Sequence, residues 1–127
     1  MSDLKPPPST ASPGALSVQT LRNRPDFLRA ASARRVPCPA FLLQARERKP
    51  GEAAGIRIGY TCSKKVGNAV ARNRAKRRLR EIARAVLPVE GHEGWDYVLI
   101  GRKDATASRP FAELQADLVR ALRKVHK

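Results

Sequence analysis

Apolar residues recur along this chain with two different periods, and each period predicts a different element. Apolar and polar positions alternate over residues 56–63, which is typical of a half-buried strand. Two further runs of mainly apolar residues, 41–45 and 95–101, also predict strands. After Pro110 the spacing becomes helical, and this predicts a final amphipathic helix. Its apolar positions are Phe111, Leu114, Leu118, Leu122 and Val125.

Proline positions limit the elements in the first half of the chain. Pro25 precedes residues 26–31 and suits the first position of a helix, so one or two helical turns are expected there. Pro37 and Pro39 fall in the segment 34–44. Because proline cannot donate to a strand ladder, the first half of that segment should lie at a sheet edge or before pairing begins.

The strand predicted at residues 56–63 is preceded by one connection and followed by another. The charged segment 46–55 contains a Pro-Gly pair and is expected to be the connection of a β-hairpin. After the strand, Asn68 is a suitable N-cap for a long helix. Pro88 is expected to stop this helix at about Leu87.

The order of helix, strands, helix, strand and helix predicts an α+β sandwich with helices on a small sheet. Residues 1–19 are rich in Pro and Ser, with three consecutive prolines, and are predicted to be a flexible tail because they cannot bury enough apolar surface. The folded domain should therefore span residues 20–127, a length that can bury one core without disulfides or metals.

The charge of the chain points to a polyanionic partner. Its 26 Lys and Arg residues against 11 Asp and Glu give a formal net charge of +15. Such an excess costs stability through self-repulsion, and nucleic acid is its commonest reason, with an anionic membrane surface as the rival. There is no run of 18 apolar residues and no apolar segment near the N-terminus, so a cytoplasmic location is expected.

Residue types that carry protein-based catalysis are sparse. Cys38 and Cys62 show no CxxC spacing and have no histidine close by, so they are expected to be reduced thiols and not zinc ligands. The two histidines, His92 and His126, are far apart in the sequence, and the acidic residues show no paired spacing. We therefore expect no catalytic acid–base pair and no metal cluster in the protein.

Positive charge is concentrated in residues 64–84, where nine Lys and Arg accompany one acidic residue, Glu81, for a net charge of +8. At about 100° per residue the aliphatic side chains form one narrow stripe. This stripe consists of Ala75, Leu79, Ile82 and Val86. The opposite ridge consists of Asn73, Arg77, Arg80 and Arg84. Arginine binds phosphate oxygens bidentately, so the segment predicts a helix that is anchored by aliphatic residues and presents guanidinium groups to the phosphates of a polyanion.

Other basic residues surround the ridge. Arg74 and Lys76 flank it, whereas Arg72 and Arg78 lie nearer the aliphatic stripe and could extend outward along their apolar stems. Before the helix, Lys64 and Lys65 precede free backbone N–H groups, which are a natural site for anions.

Residues 63–70, with the sequence SKKVGNAV, are followed by Arg-Asn-Arg at positions 72–74. This combination resembles the bacterial ribonuclease P protein component, and the resemblance extends over about residues 21–124. Further matches are DF at 26–27, FLLQ at 41–44, WDYV at 95–98 and FAEL at 111–114.

The resemblance implies a two-layer α/β sandwich like domain 2 of ribosomal protein S5. The implied order of elements is αβββαβα, with a left-handed βαβ crossover that would depart from the usual right-handed rule.

The resemblance also implies the RNA-binding protein subunit of ribonuclease P, the ribonucleoprotein endonuclease that removes the 5′ leader from precursor tRNA. The RNA subunit would carry the catalytic site and bind most of the Mg²⁺. The protein would bind this catalytic RNA and the leader and lower the Mg²⁺ requirement. It would use neither a membrane nor a small-molecule substrate.

Carried over residue by residue, the resemblance gives two groups of site residues. Those that would face the catalytic RNA are Lys64, Lys65, Asn68, Arg72, Asn73, Arg74, Lys76, Arg77 and Arg80, and Arg84 extends their ridge. Those that would line the leader cleft are Phe27, Leu42 and Gln44. Other members of the family have aromatic residues at the positions of Ala31 and often of Gln44. Stacking contributes about 1–3 kcal/mol per base, so leader binding here would depend more on charge and hydrogen bonds.

Other interpretations remain open. Phe27 could equally be a simple core aromatic. A ribosomal or general RNA-binding protein with an S5-like fold would also suit the basic helix, although it would not need the SKKVGNAV and Arg-Asn-Arg combination. A DNA-binding module would require dimerisation heptads or a helix-turn-helix, and neither is present in the sequence.

Overall fold

The computed structural model describes residues 18–52 and 54–127, in which helices pack against a five-stranded sheet. The strands are β1 (Val18–Thr20), β2 (Arg34–Pro37), β3 (Phe41–Glu47), β4 (Ile56–Thr61) and β5 (Trp95–Gly101). The helices are α1 (Arg24–Ala31), α2 (Ala69–Glu90), α3 (Ala105–Ser108) and α4 (Phe111–Val125), and a 3-10 turn (Lys64–Val66) precedes α2. The predicted α+β class is confirmed, and the short α3 is an addition to it.

The strands are arranged in the order β1-β4-β5-β3-β2. β5 is central and pairs in parallel with β4 and antiparallel with β3. The prediction that residues 46–55 connect a hairpin is wrong, because β5 lies between the two strands that they join. β5 is buried on both faces, and such a strand is stabilised most when it has neighbours on both sides. β4, α2 and β5 form the expected unit of parallel strands joined by a helix, and its left-handed sense stays a prediction.

The sheet begins earlier in the chain than the sequence indicates. β1 pairs in parallel with β4, so residues 18 and 19 belong to the domain and not to the predicted tail. Its three residues are all exposed and carry no apolar pattern that a sequence could reveal. Residues 1–17 lie outside the described residues, and the tail assigned to them stays a prediction.

The prediction that Pro88 ends the long helix is also wrong, because α2 continues to Glu90. A proline inside a helix leaves the carbonyl four residues earlier without its N–H partner. Here that residue is Arg84, which is exposed, so water can satisfy its carbonyl. The helix then ends at Gly91, whose N–H donates to the carbonyl of Leu87 at 2.9 Å.

The main core lies between one face of the sheet and helices α2 and α4. On α4, the predicted stripe is confirmed except at its first position, because Phe111 is 39% exposed. The other four positions of that stripe are buried: Leu114, Leu118, Leu122 and Val125.

A smaller core lies on the other face of the sheet, under α1. It contains Leu21, Ala30 and Val98, with Phe27 and Ile100 packed against it. A Cβ added to Gly59 would lie 2.6 Å from Cζ of Phe27, so the ring lies directly on the β4 backbone. The apolar contact between α1 and the sheet therefore consists of one aromatic ring and a few aliphatic residues.

Candidate nucleic-acid interface

Local capping fixes where the basic helix starts. The Oδ1 atom of Asn68 accepts a hydrogen bond from the N–H of Ala71 at 2.9 Å, which confirms Asn68 as the N-cap. Gly67 has a φ of +144°, and a Cβ there would lie 2.9 Å from that of Ala71. Glycine is thus required immediately before the cap, since other residues adopt such φ values only with strain.

The two faces of α2 are arranged as the periodicity predicts. All four residues of the aliphatic stripe are buried: Ala75, Leu79, Ile82 and Val86. The four residues of the opposite face are all exposed. We call them, with the flanking Arg74 and Lys76, the α2 ridge: Asn73, Arg74, Lys76, Arg77, Arg80 and Arg84.

The charges of the α2 ridge are not neutralised within the part of the chain that the structure describes. No carboxylate there lies within ion-pair distance of a ridge residue. Arg80 is placed instead over the ring of Tyr60, with 5.7 Å between Cζ and the ring centroid. Burial raises the pKa of Tyr60 by more than the nearby Arg80 and Arg84 lower it, so the net shift is upward. The Tyr60 side chain therefore remains neutral at physiological pH.

Arg78 differs from its neighbours on α2. It is half-buried, and its Nη1 donates to the carbonyl oxygens of Thr106 at 2.8 Å and Ala107 at 2.6 Å. These carbonyls belong to α3, so Arg78 is used to join two helices. Its sequence position alone did not reveal this role.

The remaining residues of the basic segment lie at the start of α2. Lys64, Lys65 and Asn68 are exposed, and Arg72 is half-buried. The hydroxyl of Ser63 accepts from the N–H of Lys65 at 3.2 Å and so stabilises the 3-10 turn. The structure thus places two exposed lysines in the turn that precedes α2, and exposed cations of this kind suit phosphodiester groups.

The three residues predicted to line a leader cleft lie on the α1 side of the sheet. On β3 the core-facing residues alternate with Leu42, which is half-buried, and Gln44, which is 7% exposed. Phe27 is half-buried and contacts the small core, so it combines the role of a packing residue with a partly accessible ring. Gln44 is too buried to offer more than part of its amide to a ligand.

A buried cluster of arginines and carboxylates beside these residues was missed by the sequence reasoning. Asp96 is fully buried in β5, and its carboxylate accepts from Nη1 of Arg48 at 2.5 Å. It also accepts from Nε and Nη2 of Arg57 at 2.8 and 2.9 Å. Arg46 lies 3.5 Å from the same carboxylate. The one signal in the sequence was an acidic residue inside an otherwise apolar strand.

The same cluster reaches α1. Arg57 lies 3.5 Å from Asp26, which in turn accepts from Arg29 at 2.9 Å. Because Arg57 contacts carboxylates on both β5 and α1, it fixes the position of the helix over the sheet. The position of α1 thus depends on the ion pairs of Arg57 as well as on the aromatic contact of Phe27.

The two histidines lie together, although they are far apart in the sequence. The rings of His92 and His126 stack with 3.6 Å between centroids. The hydroxyl of Tyr97 accepts from the N–H of His92 and lies 2.6 Å from Nε2 of His126. Burial, with nearby His92 and Arg34, lowers the pKa of His126 to about 4. These imidazoles hold the end of α4 against β5, and no carboxylate of the described residues is hydrogen-bonded to either ring.

Metal-ligand clusters are not found among residues 18–52 and 54–127, where no three His, Cys, Asp or Glu side chains are grouped to hold an ion. Cys38 and Cys62 are free thiols, as expected. No helix in the described part of the chain is long and apolar enough to cross a bilayer.

Comparison with known proteins identifies close relatives. A family model described as Ribonuclease P matches residues 17–126. The ribonuclease P protein component of Ruegeria pomeroyi is 62% identical over 120 residues, which cover 94% of this chain and 96% of that protein. The corresponding protein of Paramagnetospirillum magneticum is 46% identical over 114 residues, covering 87% of this chain and 85% of that protein.

Solved structures agree with these sequence matches. The RNase P protein from Thermotoga maritima has a TM-score of 0.68 and 28% identity, covering 84% of this chain and 96% of that chain. The RNase P protein of Staphylococcus aureus has a TM-score of 0.65 and 27% identity, covering 84% of this chain and 94% of that chain. The expected S5-domain-2-like fold is thereby confirmed.

Proposed function

The chain belongs to the ribonuclease P protein family, and from this premise we propose that its α2 ridge binds the catalytic RNA of ribonuclease P. The observation that carries the proposal is the separation of the two faces of α2. One face is fully anchored in the core, and the other presents cations that no described carboxylate neutralises. Such a surface gains most from a polyanion that releases counterions on binding.

We further propose that the 5′ leader of precursor tRNA lies on the α1 side of the sheet. Phe27 offers a half-buried side chain over β4, and Leu42 offers a half-buried apolar surface on β3, which lies on the other side of β5. Gln44 contributes an amide and not a second aromatic ring. Ala31 contributes no aromatic ring either. Leader binding in this protein would therefore use one stacking position, together with charge and hydrogen bonds.

The catalytic step is proposed to occur on the RNA subunit, which would also hold the Mg²⁺. Two features of the described residues support this division. They contain no cluster that suits a metal ion, and their histidines are used in packing. The protein would then bind and orient RNA and lower the Mg²⁺ requirement by neutralising phosphates, in the cytoplasm.

Reconstitution tests this function directly. The purified protein alone should not cut precursor tRNA in Mg²⁺, and adding the matching RNA subunit at low Mg²⁺ should restore correct 5′ maturation. Correct mature 5′ ends from the protein alone would refute RNA-based catalysis. If the protein binds RNA but does not support maturation, it is a general RNA-binding protein.

The role of the α2 ridge can be tested with Arg77→Ala combined with Arg80→Ala. Affinity for the catalytic RNA should fall, and the slope of log K against log salt should become shallower by about 1.4–1.8, as expected for two lost phosphate contacts. Arg77→Lys with Arg80→Lys is the matched control, because it keeps both charges and should leave the salt slope unchanged. An unchanged affinity in the double alanine variant would refute the assignment of this face.

A further inference from the structure

A second basic surface lies at the edge of the sheet formed by β2, on the other side of α4 from α2. A groove of about 600 Å³ runs between β2 and α4, and we call it the β2/α4 groove. Its apolar floor includes Val36, Cys38, Pro39 and Ala121. Its rim carries the exposed cations Arg120, Arg123, Lys124 and Lys127.

The rim carries excess positive charge. Asp117 is the one acidic residue among those that line the groove, and its carboxylate is already bound by Arg109 and Arg120. Arg123 is paired with Glu90 at 3.0 Å. Lys124 and Lys127 have no ion-pair partner among the described residues, so the groove favours an anionic occupant.

The walls of the groove are fixed by contacts that do not involve a ligand. Nη1 of Arg34 on β2 donates to the carbonyl of Val125 at the end of α4, at 2.8 Å. The pairing of β2 with β3 holds the other wall in place. The groove therefore needs little rearrangement to accept a ligand, which lowers the entropic cost of binding.

The combination of an apolar floor and a cationic rim matches the two parts of a nucleotide. Phosphates can bind to the lysines and arginines, while the apolar face of a base covers the valine, proline and cysteine surface and removes it from water. Bases inside a duplex are not available for such a contact, whereas unpaired bases are. An unpaired stretch of RNA fits both features.

We propose that the β2/α4 groove is an additional RNA-binding surface that holds an unpaired stretch of RNA, distinct from the α2 ridge and the α1 side of the sheet. The proposal rests on the proposed function for the class of its partner, RNA. It would give the protein RNA contacts on both sides of α4.

The two cysteines report on the two basic surfaces separately. Cys38 lies on the groove floor, close enough to Arg120 and Lys124 for their charges to act on its thiol. Cys62 lies beside the start of α2, near Arg72 and Lys76. The variants Cys62→Ser and Cys38→Ser each leave one thiol, whose alkylation by iodoacetamide can be timed with and without RNA. Burial raises the pKa of Cys38 to about 11 and also raises that of Cys62, so rates are compared within one variant at one pH.

The probe is an oligouridine of about 12 nucleotides, within the length range of single-strand sites. At about ten times the dissociation constant, about a tenth of the protein remains free, so alkylation of Cys38 should slow about tenfold. Protection of Cys62 without protection of Cys38 would overturn the groove proposal and leave the α2 ridge intact. If the oligonucleotide and the catalytic RNA both failed to bind, the proposed function would fail as well.

Lys124→Ala with Lys127→Ala should abolish the protection of Cys38, retain that of Cys62 and make the salt slope shallower by about 1.4. Lys49→Ala removes an exposed lysine outside both surfaces and is the control, which should leave Cys38 protected. Oligoglutamate of about the same length tests the alternative of an acidic protein partner. Equal protection of Cys38 by oligoglutamate would overturn RNA as the occupant.

Discussion

Arginine has opposite roles in two regions of this molecule. On the α1 side of the sheet, Arg48 and Arg57 form charge-assisted hydrogen bonds with a fully buried carboxylate. On the α2 ridge, Arg77 and Arg84 are exposed and have no described carboxylate partner. The difference arises from where the acidic residues lie in three dimensions, since Asp96 binds Arg48 and Arg57, which are 48 and 39 residues away in the sequence.

The comparison shows that a count of arginines overstates the RNA-binding surface. An arginine whose donors are already used by a buried carboxylate has little left for phosphate, and removing it costs folding stability. An arginine without such a partner can be lost with little effect on folding, whereas its loss weakens RNA binding. Stability and RNA affinity should therefore respond to mutations in different regions.

The largest effect is expected when the buried carboxylate loses its charge. Asp96→Asn leaves Arg48, whose side chain is 1% exposed, beside a neutral group, and should lower the free energy of unfolding by about 3–5 kcal/mol. Urea denaturation measures this. The control is Glu81→Gln on α2, which removes an exposed carboxylate with no ion-pair partner among the described residues and should change stability by no more than about 0.5 kcal/mol. Similar small losses in both variants would remove the distinction between the two regions.

A smaller effect is expected when the same substitution is made in each region. Arg57→Lys keeps the charge but loses the two parallel hydrogen bonds to Asp96, and should cost about 1–2 kcal/mol of stability. Arg77→Lys on the α2 ridge should leave stability unchanged. Thermal and urea unfolding of the two variants provide the measurement, and an equal loss in both would contradict the assigned roles.

The smallest effect is expected at Arg78, which belongs to α2 by sequence but is bound to carbonyl groups. Arg78→Ala should cost about 1 kcal/mol, because two carbonyls at α3 lose their donor. Its neighbour Arg77→Ala should change stability by no more than about 0.5 kcal/mol. If Arg78→Ala reduced RNA affinity as strongly as the ridge variant and left stability unchanged, Arg78 would have to be counted with the α2 ridge.

The sequence predicted α2 in detail because a helix is a local structure. Its 3.6-residue period alone determines which residues share a face, and both faces were confirmed. The order of the strands depends on contacts between distant segments, so the position of β5 between β3 and β4 could not be read from the turn between them. The Asp96 cluster was missed for the same reason, since its arginines come from other strands. β1 was missed because its pattern is not apolar. The extension of α2 past Pro88 depended on the exposure of Arg84, the residue whose carbonyl loses its helical partner.

The central position of β5 also has a consequence for how the protein folds while it is being synthesised. The strands β3 and β4 are made first, but both need β5 as their neighbour, and β5 ends only at Gly101. Until β5 has emerged from the ribosome, β3 and β4 each have an unpaired edge in the nascent chain. Such edges can pair with other chains. Sheet closure therefore has to wait until β5 has emerged, and by then the positively charged α2, which precedes β5 in the chain, has already emerged.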